Sequence, residues 1–370
     1  MSSRYIVKIL NANNNQSLLD FYSKPMSSKG KISLILDYSP DIWNALKVEG
    51  DTSEIFMVED SRNNQIAGLA ILSQKECFFH GKTKNVGYVS GLKVNEDYYG
   101  TIVIALLFKS FKEYCRKNNI KLWFYSVFND NEKGLKLFGK SNKRLPIFEP
   151  LETMQTYILK RRYMHSPKGN NGIEISQGTE NDIESIVEYI RKEGQSRAFL
   201  PAYTSSQILS GKGLLNGLSI SDIAIARDGN DIVGIMGLWN QSAFRRWKVM
   251  GYSSIINTFL PLLNIGTKVF GYPDLPAIYS NVEYKIFSLI LIQNNNDDVF
   301  KLLFNYLMKN DKAENSTYSI SLKSNDALNM DFNKRSIAFS NTIYKTYWKE
   351  DEVYAKELNV DNLYIEQGGL

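Results

Sequence analysis

Gly100 stands just ahead of a run in which Ile102, Val103, Leu106, Leu107, Phe111 and Tyr114 recur with helical spacing. A helix start beside a glycine presents unpaired backbone N–H groups and a partial positive charge, a combination that holds pyrophosphate groups. Gly100 would serve equally as a plain turn residue, so both roles stay open. Other chemistries find little support. No Ser-His-Asp, Cys-His or paired-carboxylate spacing occurs. His80 and His165 come with no cysteine pair at ligand spacing, so no metal site is expected.

The elements that must position Gly100 run from Val86 to Phe138. They read as a strand Val86 to Val94, a tight loop Asn95 to Thr101, the helix Ile102 to Lys117, a strand Ile120 to Phe128, and a helix Glu132 to Lys140 led by Asn131. An Asn in that place is a good N-cap. The whole chain has 370 residues, beyond the size at which one core stops growing, so two domains are expected. A net charge of +5, with cations and anions interspersed, leaves no nucleic-acid footprint. The N-terminus lacks a signal core, and the most apolar window, Tyr252 to Val269, is broken by Ser, Asn, Thr and Pro261, so neither export nor a membrane partner is expected. Cys77 and Cys115 fit a strand and a buried helix face, which suits a reducing cytoplasm without disulfides.

The order of these elements resembles the acyl-coenzyme-A-binding half of the GNAT N-acetyltransferase superfamily. The resemblance implies an acyl-CoA-dependent N-acyltransferase, with acetyl-CoA or another acyl-CoA as co-substrate and a small-molecule or peptide amine as acceptor. The family's phosphate loop, Arg/Gln-x-x-Gly-x-Gly/Ala, falls on Tyr99, Gly100, Thr101, Ile102, Val103 and Ile104, a departure in which the motif's glycine positions carry Ile102 and Ile104. Backbone N–H groups that polarise the thioester carbonyl fall near Leu92, Lys93 and Val94, and the family's coenzyme-contacting asparagine falls on Asn131, where capping alone would also explain the residue. The helix tyrosine that protonates the leaving thiolate falls on Phe138, which has no hydroxyl to donate. Tyr88 is the candidate acid in its place, with Tyr98 and Tyr99 nearby; each would serve equally as a packing residue. Glu283 is the candidate base, since several family members place a catalytic glutamate at the start of that strand; an ordinary strand-end carboxylate is the other reading. Lys143-Arg144 and Lys160-Arg161-Arg162 read as solvated surface or as a contact to the coenzyme 3′-phosphate.

Laid against itself, the chain shows a diverged duplication. The hairpin-like Ile55 to Leu69 is echoed by Ile223 to Ile235, and Asn131 to Phe138 is echoed by Asn325 to Phe332. The second copy opens at Ile173, with Thr179 and Asp182 capping a helix that carries Ile183, Ile186, Val187 and Ile190 on one face. Strands Met154 to Leu159 and Thr342 to Trp348 would close their own copies. The expected fold is therefore α/β (α+β): two tandem GNAT-like domains, each with a mixed, mostly antiparallel sheet flanked by helices. The first spans 1–160 and holds the acyl-CoA site; a linker spans 161–172; the second spans 173–370. In the second copy, Asp297 and Asp298 occupy the helix entry and would repel phosphate. That copy also carries an insertion, 241–281, with seven aromatics and three prolines. It reads either as part of the acceptor site or an interface between the copies, or as a core helix interrupted at Pro261.

Two other classes of function stand beside the enzyme. One is a catalytically inactive GNAT-fold binding or scaffold protein. The other borrows from the Fem-type tandem aminoacyltransferases, which use aminoacyl-tRNA, although no basic helical arm is present. The acceptor and the oligomeric state are not encoded in any motif.

Overall fold

The structure is a computed structural model that describes residues 4–25, 32–79, 81–138, 144–160, 172–312, 317–328, 332, 336–356 and 362–370. The expected linker lies outside them but for Gly172, as do His80 and His165. In the first half the elements are β1 (Tyr5–Ile9), α1 (Asn15–Ser23), β2 (Ile32–Asp37), α2 (Ile42–Leu46), β3 (Thr52–Asp60), β4 (Gln65–Phe79), β5 (Lys82–Val94), α3 (Val103–Lys117), β6 (Leu122–Phe128), α4 (Glu132–Phe138) and β7 (Ile147–Lys160). The second half has β8 (Glu174–Gln177), α5 (Ile183–Glu193), α6 (Ser205–Ser210), β9 (Ile223–Asp228), β10 (Asp231–Trp239), β11 (Arg246–Tyr252), α7 (Ser254–Phe270) and β12 (Asn281–Val282). It continues with β13 (Lys285–Ile292), α8 (Asp297–Asn310), β14 (Thr317–Lys323), β15 (Ile337–Tyr347) and α9 (Glu352–Lys356).

The duplication is visible in the topology. Both expected hairpins form, as β3–β4 and β9–β10, and each half carries one parallel pair, β5–β6 and β13–β14, in an otherwise antiparallel arrangement. The halves share one sheet. Its order is β1-β3-β4-β5-β6-β15-β7-β14-β13-β10-β9-β8. The terminal strands therefore do not close their own copies. β15 pairs with β6 of the first half, β7 pairs with β14 of the second, and the two pair with each other from Ile147 to Ile158. The exchange leaves neither half with an open edge at the centre of the sheet, where an unpaired edge would be costly.

Helix α3 covers one face of the first half through Val103, Leu107, Phe108 and Phe111, and α8 covers the second through Phe300, Leu303, Phe304 and Leu307. On the opposite face, one core joins α1 and α2 (Leu18, Leu46) to α5 and α6 (Ile186, Ile208). The capping box at Thr179 and Asp182 forms as the sequence suggests, and Ile183, Ile186, Val187 and Ile190 are buried. The echo of α4 does not form a helix among the described residues. Asn325 to Leu328 is a turn, and Phe332 is buried against Tyr157, Phe300 and Phe304.

The insertion builds a second, small sheet in the order β12-β11-β2, so it joins the two halves through β2. Its helix α7 runs unbroken through Pro261, and none of its residues is buried. The core-helix reading is thus overturned. Apolar composition had suggested burial, whereas the helix is held from one side only. Both cysteines are buried, and burial pushes each thiol up to about 12, which keeps them unreactive.

Candidate functional site

Strands β5 and β6 pair in parallel from Val86–Leu122 to Val89–Tyr125 and then separate, β5 continuing through Ser90 to Val94 and β6 through Ser126 to Phe128. At the point of separation β5 is bulged, three of its residues from Gly91 to Lys93 standing against Ala70 and Leu69. A bulge interrupts the ladder and leaves backbone groups unpaired at that spot. Gly91 has φ of +58°, and a Cβ there would come within 2.7 Å of the Tyr22 hydroxyl, which donates to the Gly91 carbonyl at 2.8 Å. Glycine is required both for the dihedral and for the close approach of α1. Leu92 and Lys93 belong to the bulge, and Val94 follows it. The Lys93 side chain is committed elsewhere: its ammonium donates to the carbonyls of Phe21, Tyr22 and Lys24, closing the end of α1, and burial lowers it to about 8.

The start of α3 lies downstream of this bulge. Asn95 caps a short helical turn, Glu96–Tyr98, after which Tyr99, Gly100, Thr101 and Ile102 lead into α3. The N-cap residue Ile102 has no side chain to cap α3, and the one side-chain contact at its start is a long one, from the Val103 N–H to Thr101 Oγ1 at 3.4 Å, so the N–H groups that follow keep their capacity for an anion. Thr101 donates to the Tyr98 carbonyl at 2.7 Å and stiffens the turn. Gly100 has φ of +77°, while a Cβ there would meet nothing within 4 Å. Its contribution is therefore a backbone conformation and not free space. Asn131 accepts from the Gly134 N–H at 3.0 Å, so its oxygen caps α4. Phe138 closes α4, and its side chain lies outside the described residues.

The second half has the same parts in closed form. β13 carries the equivalent irregularity, with Leu289 at φ of +49°, but the Leu289 N–H donates to the buried Glu366 carboxylate at 2.9 Å. Residues Leu363 to Gln367 line the opening between β13 and β14 and leave a cavity of about 40 Å³. The start of α8 is capped by the Asn296 side chain, which accepts from Asp298 and Val299, and Asp297 and Asp298 fill its first turn.

Beside the first-half bulge lies a buried polar cluster that the motifs did not reveal. Glu49 follows α2 and is fully buried. Its Oε2 accepts from Ser90 Oγ at 2.5 Å and from Ser73 Oγ at 3.4 Å, and its Oε1 accepts from Arg245 Nη2 at 3.1 Å. Ser90 is the residue just before Gly91. Gly50 lets this loop lie on β4, since a Cβ there would stand 2.6 Å from the backbone of Gln74. Arg245 arrives from the insertion and also donates to the carbonyls of Gly368 and Leu370, so both halves and the last described residues meet here. Burial works against its charge, but Glu49, Tyr38 and Tyr88 hold the guanidinium above its usual pKa.

Tyr88 joins this cluster. It is buried, stacks on Phe124 at 4.7 Å, and is raised well above the ordinary tyrosine value by burial and by Glu49, so it keeps its proton at neutral pH. Lys75 lies on the same strand face as Ser73; its amine sits 5.8 Å from the Tyr88 ring centre, and burial lowers its pKa. Glu283 is exposed at the turn between β12 and β13, while its neighbour Tyr284 is the residue within electrostatic reach of Arg245. The alternation of an extended segment thus turns Glu283 outward. The carboxylate brought to the bulge is Glu49. Among the described residues no group of His, Cys, Asp and Glu could hold a metal.

No family model matches the sequence, and no curated relative matches it. Solved structures do match. The N-myristoyltransferase of Saccharomyces cerevisiae with bound myristoyl-CoA is 9% identical over 94% of this chain and 83% of that chain, with a TM-score of 0.58. A GCN5-related glucosamine N-acetyltransferase region of a fungal multi-domain β-N-acetylglucosaminidase is 12% identical over 94% of this chain and 38% of that one, with a TM-score of 0.61. A GCN5-related N-acetyltransferase from Sphaerobacter thermophilus is 7% identical over 94% and 96%, with a TM-score of 0.52. At these identities the likeness concerns the fold: the chain has the GNAT fold in the tandem form that the N-myristoyltransferases also have.

Proposed function

We propose that this protein is an acyl-CoA-dependent N-acyltransferase that holds the coenzyme in its first half only. One observation carries the reading: the α3 start, where a side chain takes only the Val103 N–H and no carboxylate stands in the first turn, and the open, bulged end of β5 in the first half stand against a capped, acidic α8 start and a filled opening in the second. The first set offers N–H donors to a pyrophosphate and to a thioester carbonyl, while the second offers carboxylates. Acyl-CoA is a substrate in this scheme. The incoming amine passes its proton to Glu49 through the Ser90 hydroxyl, the thioester carbonyl is polarised at the Gly91–Val94 backbone, and Tyr88, kept protonated by burial, is the acid for the departing thiolate. The acyl chain is not fixed by these groups, so acetyl-CoA and myristoyl-CoA are both to be titrated calorimetrically. Binding of one equivalent supports the reading, and absence of heat with both sinks it.

Gly100 gives a sharper form of the same test. Because its φ of +77° and not a lack of space demands glycine, Gly100→Ala should weaken acyl-CoA binding as much as Gly100→Val, each by about tenfold for a strain of about 1–2 kcal/mol. Affinities that fall only with valine would point to a steric role and a different course for the ligand.

The scaffold reading is favoured by a specific residue, Phe138, which stands where the fold's enzymes supply a hydroxyl. Phe138→Tyr should leave coenzyme affinity unchanged. If a missing acid is what limits the protein, turnover, followed as free thiol release in the presence of amines, should rise by roughly 10²–10⁴-fold. An unchanged rate in a competent wild type would instead show that Tyr88 or water already fills the role. No thiol release from either form, with coenzyme bound, would favour the scaffold.

A further inference from the structure

Helix α7 is amphipathic in the inverted sense. Its inward side is tied down by polar contacts: Asn264 exchanges two hydrogen bonds with the backbone of Leu275, at 2.8 and 3.0 Å, and Thr267 donates to Asp274 at 2.7 Å. Its outward side is apolar. Ile255, Phe259, Leu262, Ile265, Val269 and Phe270 are between 51% and 75% exposed. At about 100° per residue these positions span an arc of roughly 140°, wider than the two-position seam of a helix pair. A surface helix of a globular protein buries such a stripe; no residue of this one is buried. Exposed apolar area of this extent marks a binding surface.

The charges around α7 select the occupant. From Gln241 to Pro273 the sequence contains Arg245, Arg246, Lys248 and Lys268 and not one Asp or Glu. Arg245 and Arg246 are engaged by Glu49 and Asp37, which leaves Lys248 and Lys268 as the flanking cations. Lys268 is exposed about 60° around the helix from Ile265, at the edge of the apolar arc, and a long side chain there can reach headgroups while its stem lies along the helix. Tyr272 and Tyr279, 37% and 68% exposed, follow at the helix end, amphipathic rings suited to a lipid–water boundary. Against a second copy, α7 would bring lysine to lysine with no carboxylate of its own to receive it, and the neighbouring Asp274 is already engaged by Lys160 and Thr267. That no helix among the described residues can cross a membrane bears on spanning and not on lying in a surface.

We propose that α7 is an interfacial helix that lays its outward apolar arc into the headgroup region of an anionic lipid membrane. The test is co-sedimentation of the full chain with phosphatidylcholine vesicles, with and without roughly a third phosphatidylserine, the two compositions separating apolar insertion from charge attraction. Binding is expected to the anionic vesicles. Phe259→Ser/Leu262→Ser should cut it by about tenfold or more, and Lys268→Gln by about fivefold. Thermal melting should be unchanged in these variants, because the altered side chains are exposed. Failure to sediment with either vesicle, or binding untouched by the double substitution, overturns the proposal. So does a concentration-dependent dimer in light scattering that Phe259→Ser/Leu262→Ser disperses, which would assign the arc to a second copy.

Discussion

Arg245→Met is expected to destabilise the protein by about 3–5 kcal/mol, because it leaves Glu49 as an unpaired carboxylate in the interior. The two side chains are 5% and 0% exposed. After the substitution the carboxylate keeps only the hydroxyls of Ser73 and Ser90, and two neutral donors do not replace a guanidinium. The loss should appear as a lower midpoint in urea. The double variant Glu49→Gln/Arg245→Met should recover most of it, since removing both charges removes the desolvation cost together with the attraction. A single variant within 1 kcal/mol of wild type, in a measurement good to about that margin, would mean that water reaches Glu49.

Periodicity made much of this fold legible. The stripe of α3, the capping box at Thr179 and the paired hairpins each rest on contacts a few residues apart, and each formed. The exchange of β7 and β15 was not legible, because the period of a strand tells which side is buried and not which strand lies beside it. For the 241–281 insertion the sequence left a binding surface and a core helix both open, because apolar composition does not say whether a helix face is covered within the same chain; the structure leaves α7 unburied. Within the candidate site, the glycine ahead of a helix start at Gly100 can be read from spacing, whereas the Leu92–Val94 segment enters only through the resemblance to the GNAT pattern. Glu49 could not. It is a single carboxylate in an irregular turn, and its partners Ser73, Ser90 and Arg245 lie 24, 41 and 196 residues away. The available signal was the neighbouring Gly50, a glycine outside any obvious turn, which marks a close backbone approach. Glu283 is exposed, and its neighbour Tyr284 carries the inward direction, an alternation that an irregular segment between two short strands does not announce.

The stabilised double variant also isolates the chemistry of Glu49. In Glu49→Gln/Arg245→Met the fold is kept, α3 and the loop at Gly100 are untouched, and acyl-CoA affinity should be unchanged. Turnover should nevertheless fall by roughly 10²–10⁴-fold, the range a positioned base contributes, because glutamine cannot take the amine proton. Ser90→Ala makes the complementary cut. It preserves the Glu49–Arg245 pair, whose 3.1 Å contact does not involve Ser90, and removes only the hydroxyl 2.5 Å from the carboxylate. If the proton travels through Ser90, this variant should lose turnover with little change in stability or in KM for acyl-CoA, and the loss should shrink as pH rises and the acceptor amine deprotonates in solution. The direction follows from the amine itself: at high pH it arrives without the proton that Glu49 would remove. Wild-type rates in both variants would leave Glu49 as a structural bridge between the halves and return the search for a base to the exposed carboxylates, Glu283 first.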